Sequence, residues 1–458
     1  MIAVAAGRAN VDMLNGPILR PFIRYSIPIM LSGILQLLFN AADVVVVGRF
    51  AGDNALAAVG STGSLCSLFT NLFIGLSVGA NVAAARACGA RDDAGLGRVV
   101  HTSVSLGLIC GGAVTLLGLL FAPQILQMMD TPKDIIGLAA VYLRIYFLGM
   151  LAMMLYNFGA AILRSIGDTR RPLIYLTIAG VINVILNLIF VVAFRMSVAG
   201  VALATVISQC VSAALVIICL VRSEGAIHLD IRRLRIEREA LAGIVRVGLP
   251  AGIQSTIFSI SNVLIQSAIN SFGAITVAGN SAGSNIDSFI GTALGAFYQA
   301  VVSFTGQNCG AKKYHRLWRI LGAAVACDLA LGIAMGVGVW YFGEPLLGIY
   351  TDSEAVIAEG MIRLACVGLP HALGGIMDSV VGSLRGMGRS VSPMLVSILG
   401  VCGFRLVWIL TICKLPGFSD SVAMVYISYP ISWTLTLTMH FLCLIYELRR
   451  LRRGAAAV

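Results

Sequence analysis

Twelve times along the chain, 21 or more residues pass with few charges. The approximate limits are 21–47, 57–84, 99–121, 136–161, 172–194, 198–221, 243–270, 277–303, 318–341, 356–383, 393–413 and 421–446. A helix crosses about 30 Å of hydrocarbon in about 20 residues. In that layer each backbone N–H and C=O must be satisfied within the segment, which leaves helices for runs of this length. The expected fold class is therefore an all-α integral membrane protein of twelve transmembrane helices. Composition agrees, with 58% hydrophobic and 12% charged residues, against about 25% charged in soluble domains. The first run, Pro21 to Val47, is too long for a cleavable signal segment and lacks a small-residue cleavage site.

Lys and Arg orient the spans. With a cytoplasmic N-terminus, the inner segments carry 25 of the 32 basic residues, and the outer loops carry only Arg49, Lys133, Arg195 and Lys414. That asymmetry predicts a multi-pass protein of the plasma membrane with both termini cytoplasmic. It also accounts for the net charge of +11 without a nucleic-acid partner. The longest polar stretch, Arg222–Glu239, reads as a solvated cytoplasmic connector in preference to a lipid-surface helix. Eleven cysteines show no CxxC or Cys/His metal spacing and read as small core residues.

The chain repeats itself. Arg24, Pro28, Asn40 and Phe50 return at one constant offset as Arg246, Pro250, Asn262 and Phe272. After a slip of a single position, Cys88–Ala90 returns at Cys309–Ala311, and Leu163, Arg164, Gly167 and Pro172 return as Leu384, Arg385, Gly388 and Pro393. Six spans per repeat bring both halves in from the same side, so the repeats are parallel, an arrangement of secondary transporters. The expected divisions are an N-terminal six-helix lobe at 1–221, a linker at 222–242, a C-terminal six-helix lobe at 243–448 and a tail at 449–458.

Polar residues line particular helix faces. Ser32, Gln36, Asn40 and Asp43 are spaced 4, 4 and 3 in the first span, and Ser255, Ser259, Asn262, Gln266 and Asn270 recur in its counterpart, the seventh. The eighth span adds Asn280, Ser284, Asp287 and Gln299. Interhelical hydrogen bonding explains isolated polar residues. Two long stripes at equivalent positions favour a wet cavity, with Gln36, Asn40, Asn262, Gln266, Asp287 and Asp378 as its candidate residues. Asp43 lies about 8 Å below the outer end of its helix, and Asn187 and Thr205 lie about 12 Å below theirs, with Asn183 one turn deeper. A carboxylate, two amides and a hydroxyl in one layer suit Na⁺, with Asp43 as its metal-ligating acid; alternatively Asp43 carries a proton. Arg144 and Arg363 are expected to snorkel to the interface. Arg405 is deeper and needs a partner, and His371 reads as a packed histidine.

Catalytic patterns fail in context. "GLSVG" at Gly75–Gly79 matches a nucleophile elbow but sits in mid-span with no strand before it. There is no HExxH, no Walker sequence and no complete GxGxxG. The expectation is a transporter that is not an enzyme, uses no cofactor and draws on an ion gradient.

Four stretches carry a resemblance: "NAADVVVVGRF" (Asn40–Phe50), "LRSIGDTRRP" (Leu163–Pro172), "GVALATVISQ" (Gly200–Gln209) and "LRGMGRSVSP" (Leu384–Pro393). In this order and in a two-times-six frame, the chain resembles the multidrug and toxic compound extrusion (MATE) family over nearly its whole length. The resemblance implies a V-shaped pair of lobes, export coupled to Na⁺ or H⁺ entry, and a cation site in the N-terminal lobe. Asp43 matches the family's first-span acid, and Asn183 and Thr205 match positions of that site. Asn187 departs, since some members carry Asp there, and the seventh span offers Gln254 or Gln266 where one branch has Glu. The expected activity is antiport of cationic or neutral amphipathic small molecules, in contact with membrane lipids, by a monomer. A flippase for a lipid-linked precursor is the alternative; it calls for cationic residues in the cavity, and the stripes of the first, seventh and eighth spans hold none.

Overall fold

The computed structural model describes residues 11–129, 131–418 and 421–456. Arg8, counted among the inner charges, and the last two residues of the expected tail lie outside them. All regular elements among the described residues are helical. The first half contains α1 (Leu19–Phe50), α2 (Asp53–Ala90), α3 (Asp93–Met128), α4 (Lys133–Leu148), α5 (Met150–Ser165), α6 (Arg170–Asn187) and α7 (Ser197–Arg222). The second contains α8 (Arg238–Asn270), α9 (Ala274–Gly310), α10 (Leu317–Tyr341), α11 (Gly343–Gly348), α12 (Glu354–Arg363) and α13 (His371–Gly386). It continues with α14 (Val391–Ser397), α15 (Phe404–Thr411) and α16 (Val422–Ala456).

Among the described residues, eleven helical segments are long and apolar enough to cross a bilayer. The pair α4–α5, bent by 41°, makes a twelfth when it crosses as one. The break falls at Gly149, and the equivalent span breaks at the repeat-related position, Pro370. Proline lacks the N–H that would continue the ladder and clashes with the preceding turn. Backbone conformation repeats as well. Arg91 (φ 57°) ends α2 and its counterpart Lys312 (φ 55°) follows α9, both left-handed. Gly167 (φ 95°) and Gly388 (φ 79°) are another such pair, where a side chain would be strained. Beside Gly167, Asp168 accepts the N–H groups of Arg170 and Arg171, each at 3.1 Å, and pairs with Arg171 Nε at 3.2 Å. These bonds satisfy donors that the first turn of α6 leaves open.

The described residues divide into two compact units, residue 11 with 31–249, and residues 12–30 with 250–456. The divisions fall beside Pro28 and Pro250, inside α1 and α8, so neither helix belongs wholly to one unit. The expected boundaries at 221 and 243 therefore differ from those found, because packing follows the helix segments on either side of these prolines and not the polar linker. The first unit is built around Leu143, Phe147, Met150, Met154 and Phe158, all fully buried. The second contains a core of Ile265, Val367, Met377, Tyr426 and Trp433. On α3, Ile109, Leu116, Leu117 and Leu120 are exposed together on one face, an apolar stripe suited to acyl chains.

Within the first unit, α2 meets the opening turns of α8 with almost no space. A Cβ on Gly79 would stand 2.1 Å from the carbonyl oxygen of Ile244, and one on Gly248 would stand 2.8 Å from Leu76 Cα. Both obstacles are backbone, so the helices must part to admit a methyl group. Gly79→Ala is expected to cost about 1–3 kcal/mol of stability, read as a lowered unfolding temperature of the purified protein. Wild-type stability in that variant would show that the two helices separate freely.

Candidate functional site

The first-half cluster is assembled from α1, α6 and α7. Asn183 and Asn187 stand four residues apart and share one face of α6. Straight after Asn187 the helix widens into a π turn, Leu188–Ala193, a distortion that recurs at functional sites. The Nδ2 group of Asn187 donates to Asp43 Oδ1 and, at 3.3 Å, to Asn183 Oδ1. Asn183 Nδ2 donates to Thr205 Oγ1 at 3.4 Å, and Thr205 Oγ1 donates to the Val201 carbonyl at 3.0 Å. All four residues expected to act together are thus joined in one hydrogen-bonded chain.

Asn187 is 1% exposed and Asn183 is 5% exposed, while Asp43 is half-buried. Among the described residues, none of the ion pairs involves Asp43. Asn187 Oδ1 is buried and receives no hydrogen bond. A buried acceptor without a donor is costly, and it lies beside a carboxylate that has an amide for partner and no base. The cluster can therefore receive a hard cation or a proton, with oxygen donors of the kind that hard cations prefer. Its single carboxylate matches a monovalent charge. Among the described residues, no group of three His, Cys, Asp or Glu side chains is placed to hold a metal ion.

The second-half candidates separate into two sets. Asn270 Oδ1 accepts from Gln266 Nε2 at 2.9 Å, and Gln266 Oε1 accepts from Asn280 Nδ2 at 2.8 Å. Asn280 Oδ1 accepts from Arg363 at 2.8 Å, and Arg363 Nε pairs with Asp287 at 3.0 Å. Gln266 and Asp287, expected in a wet cavity, are both members of this relay; Asp287 is buried in it against Arg363, and Gln266 is part-buried. Arg363 does not snorkel. It is 7% exposed, because Asp287 and Asn280 supply acceptors and the rings of Tyr426 and Tyr429 lie 5.6 and 5.9 Å away. Arg144 is exposed, as expected.

Asn262 and Asp378 do share a cavity in this unit, with His371, Arg405, Tyr429 and Trp433 in its wall. His371 packs with its ring centroid 5.2 Å from that of Trp433. Gln36 and Asn40 are exposed along α1. The partner that Arg405 needs is composite: its Nε donates to Ser432 Oγ at 2.9 Å, and its guanidinium lies 3.8 Å from the centre of the Tyr429 ring.

One buried acid inside a membrane span is absent from the sequence-derived candidates. Asp328, on α10, is fully buried and accepts a 2.6 Å hydrogen bond from Ser379. An aspartate inside the apolar run "VACDLAL" is the same signal as Asp43. It lacks the polar stripe that marks the other candidates.

The MatE family profile matches residues 28–189 and again 250–410, two stretches that start at the repeated prolines Pro28 and Pro250. Among relatives, "Probable multidrug resistance protein YpnP" of Bacillus subtilis is 28% identical over 390 residues, covering 85% of this chain and 87% of its own. "Probable multidrug resistance protein NorM" of Thermotoga maritima is 25% identical over 393 residues, covering 84% of each chain. Two solved structures share the fold at 24% identity. One is a MOP superfamily transporter from Pyrococcus furiosus, with a TM-score of 0.90 over 97% of this chain and 98% of the other. The second is an outward-facing multidrug resistance MATE family transporter, with a TM-score of 0.89 over 97% and 99%.

Proposed function

From the premise that the chain belongs to the MatE family of multidrug and toxic compound extrusion transporters, we propose that it is a Na⁺- or H⁺-coupled antiporter. It exports cationic or neutral amphipathic organic compounds from the cell by alternating access between its two halves. Asp43, with Asn183, Asn187 and Thr205, is the coupling site. The reading rests on one observation above others: Asp43 stands in an apolar helix, bonded to the Asn187 amide with no basic side chain to neutralise it among the described residues. Such an acid is costly when ionised and empty, and much less so once a cation or proton has entered. That difference becomes work when the two conformations bind the ion with unequal affinity. Asn187 Oδ1, which lacks a donor, is the second ligand of the ion.

The test is reconstitution of the purified protein in proteoliposomes, with uptake of a fluorescent organic cation followed under imposed Na⁺ and H⁺ gradients. The expected result is accumulation driven by one of the two ions and abolished when that gradient is collapsed. Accumulation under neither gradient would refute coupling.

A further inference from the structure

The cavity that holds Asp378 contains a feature that simple cation export does not use. Its wall carries a guanidinium, Arg405, and a carboxylate, Asp378, with the Tyr429 and Trp433 rings on α16 and the Asn262 amide on α8. Arg405 is 5% exposed. Its Nε is taken by Ser432 Oγ, and its flat face rests on Tyr429 with Trp433 5.8 Å away. Its two terminal nitrogens meet no acceptor, and no carboxylate lies within ion-pair reach, among the described residues. Asp378 likewise makes no ion pair or hydrogen bond among them. A buried guanidinium without a counter-ion is expensive to keep. A fork whose Nε is held and whose face is stacked is already ordered, and the free donors match a carboxylate.

We infer that this cavity is a substrate subsite for amphoteric aromatic compounds, in which Arg405 receives the carboxylate, Asp378 the ammonium, and Tyr429 and Trp433 the ring. The inference rests on the export reading above and names a substrate class for it. The cavity encloses about 200 Å³, below the 300 Å³ or so of pockets for whole drug-sized ligands. It therefore takes a one- or two-ring acid, or that end of a longer molecule. One guanidinium with free donors, in a wall that also carries an acid, suits a single negative charge. A diphosphate would bring further charges against Asp378. Arg405 is thereby a specificity residue: a substrate lacking the carboxylate leaves its donors unmatched, and sites built around such donors discriminate strongly.

The experiment compares equilibrium binding of radiolabelled naphthylalanine, which has an amine, a carboxylate and two fused rings, with that of its methyl ester, which lacks only the acid. Binding is measured on the full-length purified protein without any gradient. The wild type is expected to prefer the acid by about tenfold or more, the range given by one charge-assisted hydrogen-bonded pair. In Arg405→Gln that preference is expected to fall to about one, and in Asp378→Asn both ligands are expected to weaken together while the preference remains. Equal binding of acid and ester by the wild type overturns the inference with no variant needed, and so does a preference that survives Arg405→Gln. Gradient-driven transport of the organic cation is read separately. Absence of acid preference in the wild type with intact cation export sinks this subsite alone, whereas failed export with intact preference sinks the antiport reading.

Discussion

Asp43→Asn is expected to reduce gradient-driven export to the level of protein-free liposomes while leaving the protein folded. The substitution keeps the shape of the side chain and an oxygen that accepts the Asn187 amide hydrogen, so the bonded chain through Asn183 to Thr205 survives. What disappears is the negative charge. An ion drives a conformational change only through unequal affinity for the two states, and moving a population from 1:99 to 99:1 takes about 5.5 kcal/mol of such difference. Two amides and a hydroxyl without a carboxylate offer no charge to attract Na⁺ and no group that binds a proton near neutral pH. The expected loss is therefore of the order of the whole coupled flux, with an unfolding temperature within a few degrees of wild type. Substrate binding measured without a gradient should persist, because Arg405, Asp378, Tyr429 and Trp433 of the inferred subsite belong to the second unit. Export by Asp43→Asn at the wild-type rate would remove Asp43 from the coupling site.

Why the first-half cluster can be read from sequence, and the second-half relay cannot, follows from the kind of information each requires. Depth along a helix is local: counting residues from the ends of three spans places Asp43, Asn187 and Thr205 in one layer, and the structure joins them. The twelve spans and the doubling are local in the same sense, since hydrophobic run length and matched motifs survive without knowledge of packing. Pairing depends on how each helix is rotated about its own axis. Asp287 and Arg363 are 76 residues apart, on helices whose mutual rotation hydropathy does not fix, so Arg363 reads as an interfacial cation and Asp287 as a cavity acid. Arg405 raises the same difficulty, because its principal companion is an aromatic face and not the carboxylate that its charge suggests. The unit boundary is hidden for another reason. Pro28 and Pro250 are visible as repeated residues, but a proline inside a span does not say which neighbours its two arms will join. Asp328 shows the opposite failure, in which a legible signal goes unused for want of a periodic stripe around it.

Removing Arg363 should destabilise the protein strongly. The side chain holds Asp287 through Nε at 3.0 Å and Asn280 through a terminal nitrogen at 2.8 Å, and Asn280 in turn holds Gln266. Asp287 is 4% exposed, and its other oxygen already lacks a hydrogen bond. In Arg363→Met the carboxylate would be buried with neither countercharge nor donor, a change that costs about 3–5 kcal/mol in other buried pairs. Desolvation of both ions opposes their attraction, so the intact pair adds little by itself, and the penalty comes from the orphaned partner. It follows that Asp287→Leu combined with Arg363→Met should be far more stable than Arg363→Met alone, recovering most of the loss. Thermal and denaturant unfolding of the two single variants and the double variant, analysed as a thermodynamic cycle, measures this directly. A coupling energy below about 0.5 kcal/mol would mean that the two residues are independent, and that Arg363 is held by the tyrosine rings instead of by the acid. A coupling of several kcal/mol would identify the relay from Asn270 to Asp287 as part of the frame that keeps this half of the transporter rigid while ions and substrates exchange.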